Sequence, residues 1–224
     1  MKVILFGASG MVGQGVLREC LLDNDVETVL LIGRSATGPQ NAKIREIVHK
    51  DIGNLTPIEV DLTGYDACFF CLGVSSVGMS EADYKRITYD LTIGAATTLA
   101  RLNPAITFIY VSGKGTDSTE RGRLAWAWVK GATENALLRM PFRAAYMFRP
   151  AMIQPMHSEK PKAALTSFAL TLMTPFIPLL MRLGPKYATT TERMGRAMLI
   201  AAKNGATKKV LESPDINALS SGQN

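Results

Sequence analysis

The chain has 224 residues, 47% of them hydrophobic and 20% charged, an ordinary globular mix that excludes any need for disulfide staples to hold a core. Its net charge of +6, from 25 basic and 19 acidic residues, suits a polyanionic partner, and a phosphate-bearing small molecule would satisfy it as well as DNA. No run of five or more basic residues occurs, which argues against a nucleic-acid partner.

In chain order, strands and helices alternate. Val3–Phe6 is a short apolar run ending at a glycine. Met11–Leu22 has helical spacing, with Val12, Val16 and Leu17 on one side. Thr28–Ile32 is β-branched and apolar, and Ile58–Val60 is predicted as a brief third strand. Ala67–Leu72 is continuously apolar, as a strand buried on both faces should be. Glu81–Leu102 is predicted as one long helix stopped by Asn103-Pro104. Ile106–Val111, the helix Leu124–Arg139 and the strand Ala144–Phe148 follow, and Thr191–Lys203 is a last helix. This rhythm predicts a doubly wound α/β domain with a mostly parallel sheet, a small C-terminal helical cap, and no boundary within residues 1–224.

Ala163–Met181 carries no charge and is long enough to cross a bilayer. Pro175, Pro178 and three threonines inside it favour a segment that covers a cleft or a subunit contact, with residues 151–190 supplying the cap. Membrane attachment through it stays open, as does an oligomer. The three cysteines and the absence of a secretory leader point to a reducing, cytoplasmic setting. Cys68 and Cys71 have CxxC spacing, but three residues apart on a strand they face opposite sides, so no metal or redox site is expected. The two histidines, His49 and His157, are not placed together by the pattern and support no metal site either.

The chemistry concentrates in Gly7-Ala8-Ser9-Gly10-Met11-Val12-Gly13, between the first strand and the first helix. Gly7 permits a tight turn. Gly10 lets the backbone approach a pyrophosphate, and Gly13 lets the helix pack close to the sheet. Amides of Ser9, Met11 and Val12 at the helix start then hold the phosphates of a dinucleotide.

The GxxGxxG spacing resembles the extended and atypical short-chain dehydrogenases/reductases, with their Rossmann fold. The likeness continues through Val111-Ser112-Gly113, Lys130-Gly131-Ala132-Thr133-Glu134 and Phe148-Arg149-Pro150, over residues 1–205, and is nearest the Tat-interacting-protein-like and NmrA-like branch. It implies NADP(H) rather than NAD(H). Arg34 stands about twenty residues past the loop, where an acidic residue would bind the ribose of NAD; it and Ser35 suit a 2′-phosphate. The resemblance also implies Asp61 and Leu62 near the adenine and Cys71, Leu72 and Gly73 along the adenosine. Phe148 and Arg149 would lie near the nicotinamide, Ser112 would orient a substrate carbonyl, and Lys130 would hold the nicotinamide ribose.

One departure stands out. The Tyr-x-x-x-Lys pair of these reductases reads Trp126-Ala127-Trp128-Val129-Lys130 here. An indole N–H can donate a hydrogen bond but is no practical proton source. The expectation is therefore NADP(H) binding with slow carbonyl turnover, unless Tyr84 or Tyr89 reaches the nicotinamide. The substrate would be a small apolar molecule. The other reading is a non-catalytic NADP(H) sensor that binds a protein partner.

Overall fold

The first strand, β1 (Lys2–Phe6), sits at the centre of the sheet because its apolar run can be covered on both sides. Val3 and Leu5 enter one buried layer, Ile4 and Phe6 the other. This computed structural model describes residues 1–38, 40–157 and 188–223. β1 pairs in parallel with β2 (Thr28–Gly33) on one side and β4 (Ala67–Phe70) on the other. With β3 (Ile44–Val48), β5 (Thr107–Val111), β6 (Ala144–Arg149) and β9 (Val210–Glu212), they form a seven-stranded sheet in the order β3-β2-β1-β4-β5-β6-β9, every pair parallel. Strand order reverses between β1 and β4, the point where open sheets of this kind leave a crevice at their strand ends. The doubly wound Rossmann-type sheet is thus as expected.

Helices cover both faces. α1 (Met11–Leu22) shares one apolar layer with α5 (Thr191–Asn204) and α6 (Ser213–Ser220); α3 (Leu91–Leu102) shares the other with the end of α4 (Ala125–Arg139). α1 and α5 approach closely because each offers a glycine. A Cβ on Gly15 would sit 2.5 Å from Thr191, and one on Gly195 would sit 2.7 Å from Glu19. Arg196 of α5 then reaches the buried Glu19 carboxylate at 3.1 Å, tying the helices together.

One sequence expectation needs correction and another refinement. Ile58–Val60 is not a strand but part of a 3₁₀ turn, Thr56–Asp61, with Pro57 near its start and Val60 84% exposed. Proline has no N–H for a ladder, and an exposed valine gives the run no face to bury. The third strand is instead β3, whose Arg45 and Glu46 hid it from a search for apolar alternation; charge is common on such an edge strand. The long helix Glu81–Leu102 runs its whole expected length, but not as one regular α-helix. α2 (Glu81–Lys85) passes into a π-helical turn, Arg86–Asp90, before α3.

The expected cap falls mainly outside the described residues, as does Ala163–Met181. Its flanks, β7 (Met152–Gln154) and β8 (Ala188–Thr190), pair in parallel as a separate two-stranded sheet. α5 is a layer helix packed on α1, not a cap. Among the described residues no helix is long and apolar enough to cross a membrane.

Candidate functional site

The loop after β1 is shaped by its glycines for two different reasons. Gly7 has φ +81°, and a Cβ there would lie 2.7 Å from the Cys71 carbonyl atoms, so both conformation and space demand glycine. A Cβ on Gly13 would lie 2.1 Å from the Gly7 oxygen. Gly10 differs. Its backbone is extended, and a Cβ would meet only the Gly7 oxygen, at 3.4 Å. Among the described residues no atom needs the room over Gly10, so that room is open to a ligand. Gly10 caps α1 without a side-chain hydrogen bond, and the first turn holds no acidic residue. The first amides of α1, those of Met11 and Val12 included, therefore keep their positive end free for an anion.

This loop lines a single cleft, with about 1150 Å³ of space including its open mouth. Its walls include Gly33, Arg34, Ser35, Thr37 and Glu46, together with Leu72, Gly73 and Val74. Arg34 and Ser35 are exposed there, at the end of β2. Glu46 escaped the sequence reading, because its place is legible only once β3 is known to pair beside β2, opposite Leu31. Its carboxylate accepts from the Thr37 amide at 2.8 Å and the Thr37 hydroxyl at 2.6 Å. Asp61 and Leu62 lie elsewhere: Asp61 pairs with Arg45 at 3.2 Å, and Leu62 is fully buried in the core.

The walls of the cleft also include Lys130 from α4, Tyr84 from α2, Ile87 and Thr88 from the π turn, Leu91 and Thr92 from α3, and Tyr110 from β5. The Lys130 ammonium donates to the Ser112 carbonyl. Burial pushes its pKa down, opposed by the nearby Glu134 carboxylate. Ser112 is buried, and its hydroxyl donates inward to Glu134 rather than toward the cleft. Glu134, 1% exposed, is held in turn by the Arg149 guanidinium, whose Nε lies 3.0 and 3.1 Å from its two oxygens. Phe148 is buried in the core, and its carbonyl lies 3.3 Å from the Ser112 hydroxyl. Ser112, Phe148 and Arg149 thus form a buried polar support behind Lys130. Trp126 packs on the loop after β5, where a Cβ on Gly115 would come within 3.0 Å of its ring.

Cys71 lines the cleft, yet burial pushes its thiol up to about 12, so it carries little thiolate. Cys68 is buried in the opposite layer, as strand alternation requires. No group of metal-ligating side chains occurs among the described residues.

The tyrosine-bearing wall was within reach of sequence reasoning. Tyr84, Thr88, Leu91 and Thr92 recur at helical spacing along one face, but without the fold nothing says that this face meets Lys130. Tyr89 lies on the same segment beneath Lys85, whose ammonium is 5.2 Å from its ring centre, and does not line the cleft.

No family model matches the chain. In sequence it is 26% identical, over 167 residues, to a protein of Aspergillus oryzae named fmp52-2, mitochondrial; the match covers 72% of this chain and 70% of that protein. It is also 26% identical to HTATIP2 of Rattus norvegicus over 68% of this chain and 62% of the relative, so it spans less than two thirds of that protein's length. In structure it resembles the Bordetella bronchiseptica enzyme WbmF in complex with NAD+, with TM-score 0.69 and 13% identity over 100% of this chain and 77% of that one. It resembles equally an oxidoreductase of the short-chain dehydrogenase/reductase family from Burkholderia thailandensis, with TM-score 0.69 and 16% identity over 99% and 93% of the two chains. The likeness to these solved structures shows a Rossmann-type α/β fold, and the relatives are proteins to which the chain is similar at 26% identity.

Proposed function

We propose that this atypical short-chain dehydrogenase/reductase-like chain binds NADP(H) in preference to NAD(H) and transfers hydride to or from a small apolar carbonyl or alcohol substrate. The observation that carries the reading is the continuity of the cleft. It runs from Arg34, past the uncapped start of α1 and the open side of Gly10, to Lys130. Arg34 would pair with the 2′-phosphate, the α1 amides would hold the pyrophosphate, and the Lys130 ammonium would hold the nicotinamide ribose. The cofactor supplies a hydride at the nicotinamide ring; the chain binds it, orients it and shields it from water.

A second reading, a sensor that binds a protein partner when loaded with cofactor, is favoured by one local fact. Neither Ser112 nor Trp126 presents the group that the usual reductase chemistry needs, since the Ser112 hydroxyl is spent on Glu134. We place either function in the cytoplasm, noting that one relative's name says mitochondrial.

Glu46 tempers the cofactor preference. Its carboxylate shares the end of the cleft with Arg34, and like charge weakens phosphate binding. A bidentate charge-assisted pair to Arg34 still favours the phosphorylated cofactor by about 1.5–3 kcal/mol, roughly ten- to a hundredfold. Titration calorimetry with NADPH and NADH tests this: Arg34→Ala should erase most of the difference. Equal affinity of the unmodified protein for both cofactors would overturn the preference.

A further inference from the structure

α2, just before the π turn, adds a phenol to the wall of the cleft that Lys130 also lines. We propose that Tyr84 is the proton donor of this site, delivering its hydroxyl proton to the oxygen of a carbonyl substrate as the nicotinamide hydride reaches the carbon. The proposal rests on the NADP(H) reading above and names what replaces the absent tyrosine of α4.

Three observations carry it. First, Tyr84 lines the same cleft as Lys130. α2 and the π turn pack against α4, which carries Lys130, so two elements distant in sequence present a phenol and an ammonium to one space. Second, Tyr84 is 2% exposed and so sits in a wall that water enters only through the cleft. Thr88 follows it one turn along the helix and lines the same cleft. Thr88 belongs to the π turn, and its carbonyl accepts from the Thr92 hydroxyl at 2.6 Å, which fixes the turn's shape. Such turns interrupt helices at functional sites more often than elsewhere. Third, the usual donors are unavailable: position 126 holds an indole, and the Ser112 hydroxyl points to Glu134.

Tyr110 is the competing phenol. It lines the cleft too, but it is buried on β5 within the apolar layer that holds Phe70 and Phe108, whereas Tyr84 belongs to neither layer. Burial raises the pKa of both phenols, so each stays protonated at neutral pH, the state a proton donor needs.

The step balances as a carbonyl reduction. The hydride of NADPH forms the new C–H bond, the C=O π pair moves to oxygen, and that oxygen takes the Tyr84 proton. NADP+ and the alcohol leave, and the phenolate recovers a proton from solvent through the open mouth of the cleft.

The test uses the full chain with NADPH and 9,10-phenanthrenequinone, a flat apolar dicarbonyl, followed by loss of NADPH absorbance. NADPH affinity is measured separately by calorimetry. Tyr84→Phe removes only the hydroxyl and should lower kcat about a hundredfold or more, with NADPH affinity unchanged. Tyr89→Phe should leave kcat as it is. If Tyr84→Phe turns over at the unmodified rate, or if the unmodified protein binds NADPH but reduces nothing, the assignment of Tyr84 is overturned and the cofactor reading stands. Failure of the unmodified protein to bind NADPH overturns both.

Discussion

Gly10 and Gly13 are three residues apart in one loop, and replacing each with alanine separates ligand binding from folding. At Gly13 the new methyl would lie 2.1 Å from the Gly7 oxygen, 2.6 Å from its carbonyl carbon and 2.9 Å from the Ala8 Cα. All three are backbone atoms, so no rotamer can relieve the clash and the loop must move away from α1. Overpacking of this kind costs about 1–3 kcal/mol, offset only in part by the better helix propensity of alanine. In a chain of this size that lowers Tm by about 2–4 °C per kcal/mol. At Gly10 the methyl would meet one atom at 3.4 Å, and φ −86°, ψ 161° suits alanine. Only the weaker capping preference of alanine remains, worth about 1 kcal/mol at most. The methyl would, however, stand where the pyrophosphate must lie. The expected result is near-native Tm for Gly10→Ala with NADPH affinity reduced at least about tenfold, a loss of about 1.4 kcal/mol. Gly13→Ala should lose several degrees of Tm. Thermal melts and calorimetry read the two effects independently. Native NADPH affinity in Gly10→Ala would refute the placement of the phosphates.

Two further outcomes follow from the buried polar support. Arg149→Leu strands the Glu134 carboxylate, 1% exposed, without its guanidinium. Breaking a buried pair from one side costs about 3–5 kcal/mol, and adding Glu134→Leu should recover much of it in thermal melts; an unchanged Tm in Arg149→Leu would contradict the pair's role. Lys130 gives a pH signature. Burial lowers its pKa in the free protein, so its ammonium, the form that donates to ribose hydroxyls, is lost on raising pH below the ordinary lysine range. NADPH affinity should fall across that alkaline window and the fall should vanish in Lys130→Met; a pH-independent affinity in the unmodified protein would count against Lys130 as a cofactor ligand.

Strands buried on both faces declared themselves in the sequence. β1 and β4 are mostly apolar runs, β5 is apolar after Thr107, and the glycine loop between β1 and α1 marked the crevice at the strand ends. β3 did not, because an edge strand has one ladder to satisfy and tolerates Arg45 and Glu46 in its middle. With β3 missed, Glu46 went unseen beside Arg34. Ser112 and Lys130 were named from the resemblance, and a motif says nothing of where a hydroxyl points. The inward turn of Ser112 depends on Glu134 and Arg149, brought together from α4 and β6. Tyr84 was legible as a residue and illegible as a site, since its meeting with Lys130 depends on how α2 packs against α4. Asp61 and Leu62 followed from a strand that is instead a 3₁₀ turn.

A crystal structure of the unmodified chain with NADPH addresses the central claim most directly. The account expects the pyrophosphate over Gly10 and on the first amides of α1, and the 2′-phosphate within hydrogen-bond reach of Arg34. The nicotinamide should end between Lys130 and Tyr84. A dinucleotide bound elsewhere, or one whose nicotinamide turns away from Lys130, would contradict it.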